Sequence, residues 1–169
     1  MVRSAEVASK QVAKGMNDTP IEEGRTPRPP TMAAPFAVIV DDEEAICRFM
    51  ARALARLGVE SSTYQTAEPA IASLDHRRPD IVFLDIALAQ SDAIDVIKGL
   101  SEKHYTGPIQ LMSGGRLPLL EAVQRIGARN GLSLRPPLQK PFRVEVLREV
   151  IVGLGLAPDG PPSPIPAPS

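Results

Sequence analysis

Phe36-Ala-Val-Ile-Val40 is a run of five apolar residues closed by Asp41-Asp42. Five residues is the length of a strand rather than a helix, and an unbroken apolar run, unlike an alternating one, suits a strand buried on both faces. Similar runs follow at Val59 to Tyr64, Asp80-Ile-Val-Phe-Leu84, Pro108-Ile-Gln-Leu-Met112 and Ser133 to Leu138. Between them the period changes. Ile46, Phe49, Met50, Ala53, Leu54 and Leu57 recur at spacings of three and four and predict one helix, with Asp42 able to cap its start and Gly58 its end. Further helices are expected over Ala67 to Leu74, capped by Thr66, over Asp92 to Lys103, over Pro118 to Asn130, and over Val144 to Leu154. Five strands, each followed by a helix and never joined by a tight hairpin signal, give an α/β fold: a (βα)5 doubly wound, five-stranded parallel sheet.

Outward from this core the composition changes. Of eighteen prolines, five lie between Pro20 and Pro35 and six between Pro158 and Pro168. Such stretches bury too little apolar surface to offset chain entropy. The expected organisation is a disordered extension over 1–34, one domain over 35–156 and a proline-rich disordered tail over 157–169. A formal net charge of -1 supplies no field for non-specific binding of nucleic acid. The single cysteine, Cys47, excludes an intramolecular disulfide and an all-cysteine metal site. No apolar run reaches the roughly 18 residues that span a bilayer, and the N-terminus lacks the apolar stretch of a secretory signal. These features predict a soluble, cytoplasmic protein.

In open parallel sheets, ligands bind outside the carboxyl ends of the strands. The first run ends on Asp41-Asp42, the third on Asp85, the fourth on Ser113 and the fifth on Lys140. Crowded carboxylates repel one another unless a cation relieves them, and magnesium is commonly held by one or two carboxylates plus phosphate oxygens. A lysine ammonium and a serine hydroxyl suit the remaining phosphoryl oxygens. Singly, each residue has a plainer reading. Asp41-Asp42 fits a helix N-terminus, Asp85 a strand-end acid, Lys140 a solvated lysine and Ser113-Gly-Gly a turn.

Together, Val40-Asp-Asp-Glu43, Phe83-Leu-Asp-Ile86, Leu111-Met-Ser-Gly114 and Lys140-Pro-Phe142 resemble response-regulator receiver domains of the CheY-like superfamily, in order and across the whole core. The resemblance implies a flavodoxin-like strand order 2-1-3-4-5 and a two-component signalling role. Asp85 would accept a phosphoryl group from a sensor histidine kinase. Asp41, Asp42, Asp85 and the Ala87 carbonyl would hold Mg2+ or Mn2+. Lys140 and Ser113 would contact the phosphoryl group, and the Lys140-Pro141 peptide would be cis. The activity implied is that of a phosphoacceptor with intrinsic metal-dependent phosphoryl transfer and autodephosphorylation, not of an enzyme with a separate substrate. Since only a proline-rich segment follows Leu156, the expectation is a response regulator with no attached output domain. Its partners would be the kinase, a downstream relay or effector protein, and a second copy through the fourth-helix and fifth-strand region.

The match has departures. Ala89 and Ala93 replace a proline and a glycine frequent in the family, and Pro137 stands where an aromatic usually precedes the lysine by three residues. The interval from Ser113 to Lys140 is longer by about one helical turn, roughly 4 to 5 residues. Pro137 keeps open an alternative, a pseudo-receiver that serves as a dimerisation or interaction module without phosphate. An aspartate-nucleophile phosphatase fits less well, because the second acid expected two residues after the nucleophile is Ala87. His76 and His104 lie in polar stretches and read as surface residues, Cys47 as a core filler, and Arg48, Arg52 and Arg56 as a solvated helix face or a kinase contact.

Overall fold

The computed structural model describes residues 33–88, 92–115 and 117–157, so the extensions expected over 1–34 and 157–169, apart from residues 33, 34 and 157, and Ala89 fall outside the described residues. Ten elements alternate: β1 (Phe36–Val40), α1 (Glu44–Arg56), β2 (Glu60–Tyr64), α2 (Ala67–Ser73), β3 (Ile81–Asp85), α3 (Asp92–Glu102), β4 (Pro108–Ser113), α4 (Leu117–Arg129), β5 (Ser133–Gln139) and α5 (Val144–Gly153). All strand pairs are parallel, and the order is β2-β1-β3-β4-β5.

The apolar runs of β1 and β3 are continuous because each strand serves two cores. Phe36, Val38 and Val40 face α2, α3 and α4, and Ala37 and Ile39 face α1 and α5. Burying a Val, Leu, Ile or Phe side chain contributes about 1.5–3 kcal/mol, so the three interior strands, β1, β3 and β4, contribute most of the sheet's burial. The edge strands are more polar: β2 reads Glu60-Ser-Ser-Thr-Tyr64, with only Val59 just before it fully buried.

The helix ends differ in detail from the sequence reading. Glu43, not Asp42, occupies the N-cap of α1, and it makes no side-chain cap bond. Thr66 does sit at the N-cap of α2, again without a side-chain bond. The C-termini follow expectation, with Gly58 (φ 73°) after α1 and Gly131 (φ 68°) after α4 in the left-handed region that glycine enters without steric cost. On α1 the buried stripe is Cys47, Met50, Ala53 and Leu54. Phe49 is displaced outward, 36% exposed, with its ring centroid 6.3 Å from that of Phe142. His76 and His104 are exposed, as their polar surroundings suggested.

Candidate functional site

Asp41 and Asp85 occupy equivalent places. Each follows by two residues an inward residue of the α1–α5 layer, Ile39 and Phe83, and so projects to the same side at the carboxyl edge of adjacent strands. Both are almost fully buried, at 0% and 1% exposure. The ladder continues past the strand ends. The Asp41 amide donates to the Tyr64 carbonyl at 3.0 Å, the Ile86 amide to the Met112 carbonyl at 3.0 Å and the Lys140 amide to the Ser113 carbonyl at 2.7 Å. The ends of all five strands are thereby tied to a neighbour along one rim, closed by a cis Lys140-Pro141 peptide.

Lys140 Nζ lies between the two buried acids, 2.7 Å from Asp41 Oδ2 and 2.9 Å from Asp85 Oδ2, with Glu43 Oε1 at 3.8 Å. The second oxygens are held by backbone donors: the Glu43 amide bonds Asp41 Oδ1 at 2.9 Å, and the Ala87 amide bonds Asp85 Oδ1 at 3.0 Å. Burial pushes the Asp41 carboxyl above the ordinary carboxylate value, against the pull of Lys140 and the Glu43 amide. Burial alone would lower the ammonium of Lys140. Its bonds to Asp41 and Asp85 outweigh that effect and hold it above the usual lysine value.

Carboxylate oxygens of Asp41, Asp42 and Asp85 come within 4.8 Å of one another, Asp42 on the exposed side. One ammonium against this many acids leaves local negative charge, and an all-oxygen donor set suits a hard divalent cation. The residues present therefore fit a magnesium-type ion. Ser113, 2% exposed, ends β4 in the same rim, and its Oγ accepts from the Gly115 amide at 3.2 Å. The structure thus brings the side chains of Asp41, Asp42, Asp85 and Lys140 together and places Ser113 on the adjoining strand end, joined to Lys140 through the backbone.

Three neighbours escaped the sequence reading. Glu43 approaches Lys140, a contact that only the turn of the chain into α1 creates. Cys47 is more than a filler: its Sγ–H donates to the Asp41 carbonyl at 3.3 Å, and burial raises its thiol further from ionisation. Gln110 is a buried polar residue in the middle of β4, signalled in the sequence by a lone amide within an apolar run.

An open flavodoxin-like sheet with buried carboxylates, a lysine and a hydroxyl at one edge defines a class of small α/β proteins whose polar site lies at the carboxyl ends of the strands. Within that class, the sequence signature of the response regulator receiver domain matches residues 37–152. The chain belongs to that family, the receiver domains of two-component response regulators. It is 28% identical over 133 residues to the photosynthetic apparatus regulatory protein RegA of Rhodovulum sulfidophilum, covering 68% of this chain and 73% of RegA. Among solved structures, NtrX of Brucella abortus matches with a TM-score of 0.61 at 28% identity, over 72% of this chain and 27% of the NtrX chain. The chemotaxis protein CheY4 of Vibrio cholerae superposes with a TM-score of 0.61 at 22% identity, over 72% of this chain and 99% of its own, a likeness of fold. Among the described residues, no helix is long and apolar enough to cross a membrane.

Proposed function

We propose that this receiver domain accepts a phosphoryl group on Asp85 from the phosphohistidine of a sensor histidine kinase. The observation that carries the reading is the pair of buried carboxylates bridged by Lys140 within hydrogen-bonding distance of both. An Asp85 carboxylate oxygen attacks phosphorus, a new P–O bond forms as the P–N bond breaks, and the departing imidazole keeps the electron pair and later takes a proton from water. Two roles belong to Lys140: it pairs with the Asp85 carboxylate before transfer and faces a phosphoryl oxygen afterwards. The Ser113 hydroxyl donates to another phosphoryl oxygen. The Ala87 amide, already on Asp85 Oδ1, orients the nucleophile. Asp41, Asp42, Asp85 and the Ala87 carbonyl would hold Mg2+ or Mn2+, which supplies positive charge against the phosphoryl oxygens when bound.

The same reading makes the partners the kinase and a downstream relay or effector protein, in the cytoplasm, where the Cys47 thiol stays reduced. It includes self-association through α4 and β5, where Leu117 is 65% exposed. No direct contact with nucleic acid is invoked. Labelling by a small phosphodonor such as acetyl phosphate tests the proposal: incorporation should require a divalent cation and disappear in Asp85→Asn. No incorporation, or equal incorporation in that variant, would leave an interaction module that works without phosphate.

A further inference from the structure

β5 carries one residue more than the strand it pairs with. Gln110 of β4 lies opposite Arg135 and Met112 opposite Leu138, so Pro136 and Pro137 together stand against Leu111. In a regular strand, residues four apart return to the same face. Here Leu134 packs with the α2–α3–α4 layer, and Leu138 with the α1–α5 layer. The bulge has turned the strand over. Lys140 follows Leu138 by two, just as Asp41 follows Ile39 and Asp85 follows Phe83. All three therefore project from the same face. Without the extra residue, every side chain after the prolines would face the other layer, and the ammonium would leave the two acids.

A bulge built of two prolines brings carbonyl acceptors into the sheet and no amide donors. The side chain of Gln110 meets that need. It is 1% exposed. Its Nε2 donates to the Pro136 carbonyl at 2.6 Å and to the Leu111 carbonyl at 3.2 Å, and its Oε1 accepts from Arg135 Nε at 3.3 Å. Every one of these bonds ends on the bulge or on a residue beside it. No other buried polar residue lies within the apolar run of β4 before Ser113.

We propose that Gln110 is a positioning residue for phosphoryl transfer: by holding the Pro136-Pro137 bulge, it sets the register that brings Lys140 to the face of Asp41 and Asp85. The inference rests on the reading of Asp85 as phosphoacceptor and Lys140 as its cation. Gln110 touches neither the acceptor nor the phosphoryl group. Its effect travels through β5, whereas the metal-binding carboxylates lie on β1 and β3. The two can therefore be separated.

Gln110→Met keeps the length and removes both donors. With acetyl phosphate and saturating Mg2+, labelling of Asp85 in the folded variant is expected to slow roughly tenfold, short of the roughly 100-fold or greater loss when a charge-stabilising group is removed outright. Mg2+ affinity, measured by calorimetry on the same protein, should not fall, since an ammonium drawn away from the carboxylates competes less with the cation. If Gln110→Met does not fold, Gln110→Asn, which keeps an amide but shortens its reach, should show the same split. Labelling at the wild-type rate in a folded variant, or a loss of Mg2+ affinity in parallel with the rate, would overturn the inference. A wild-type protein that takes no label would overturn the Asp85 reading and this inference with it.

Discussion

Replacing Lys140 with alanine should make the stability of this domain depend on divalent metal. Its ammonium sits 2.7 Å and 2.9 Å from two carboxylates that are 0% and 1% exposed, and is itself only 13% exposed. At an effective dielectric constant of 20, each contact carries about 6 kcal/mol of attraction, most of it offset by desolvation; breaking such buried pairs costs about 3–5 kcal/mol. Part of that loss is recovered when one carboxylate takes up a proton, at about 1.4 kcal/mol per pKa unit. We therefore expect Lys140→Ala to retain the fold but to lose about 3 kcal/mol in chelator at pH 7, roughly 10 °C in Tm. The pH dependence follows. Burial already holds the Asp41 carboxyl above its ordinary value and Lys140 opposes that shift, so without the ammonium the native state binds more protons than the unfolded chain and stability falls as pH rises through that window. The deficit should accordingly be smaller at pH 5 than at pH 7, and millimolar Mg2+ should remove most of it. Urea unfolding of wild type and variant, with chelator and with Mg2+, reads all three quantities. A deficit below about 1 kcal/mol, or one indifferent to Mg2+, would refute the placement of the ammonium between the acids.

Two further outcomes concern the helices. Lys103 holds both oxygens of Asp75 at 2.7 Å and 2.6 Å and keeps that carboxyl below its ordinary value of 3.8. Its contribution is present above pH 3.8 and lost as pH falls through the lower folded value. NMR titration should show a midpoint under 3.8 that rises in Lys103→Met, and an unchanged midpoint would contradict the pair. On α4, a Cβ at Gly127 would lie 2.4 Å from Leu134 Cδ1, so Gly127→Val should cost about 1–3 kcal/mol in thermal unfolding. An unaltered Tm would show that α4 packs on β5 less closely than described.

The fold and the rim of the site were legible because both are written in short-range patterns. β1 and β3 announce themselves as doubly buried by unbroken apolar runs, and each places its acid at the position that ends the run. What the sequence could not display is register. The pairing of Met112 with Leu138 rather than with Pro137 is a property of two strands at once, and nothing local in Ser133 to Gln139 specifies it. For the same reason Gln110 passed unnoticed: an amide within an apolar run has no evident partner until β5 lies beside it. The N-cap of α1 was misassigned by one residue because Asp41, Asp42 and Glu43 are all acidic, and only the direction of the chain at Glu43 distinguishes them.

The proline pair also bears on how copies of this domain can meet. An open parallel sheet ends in two strands whose outer edges could template a further strand from another molecule, the route by which sheet proteins form fibrils. On one edge, β5 presents Pro136 and Pro137, which offer no amide hydrogen and bend the strand away from a flat template. On the other, β2 is short and polar, and its first residue, Glu60, is tied to Arg77, whose guanidinium also covers the Phe36 ring at 4.2 Å. Growth by strand addition is blunted at both margins.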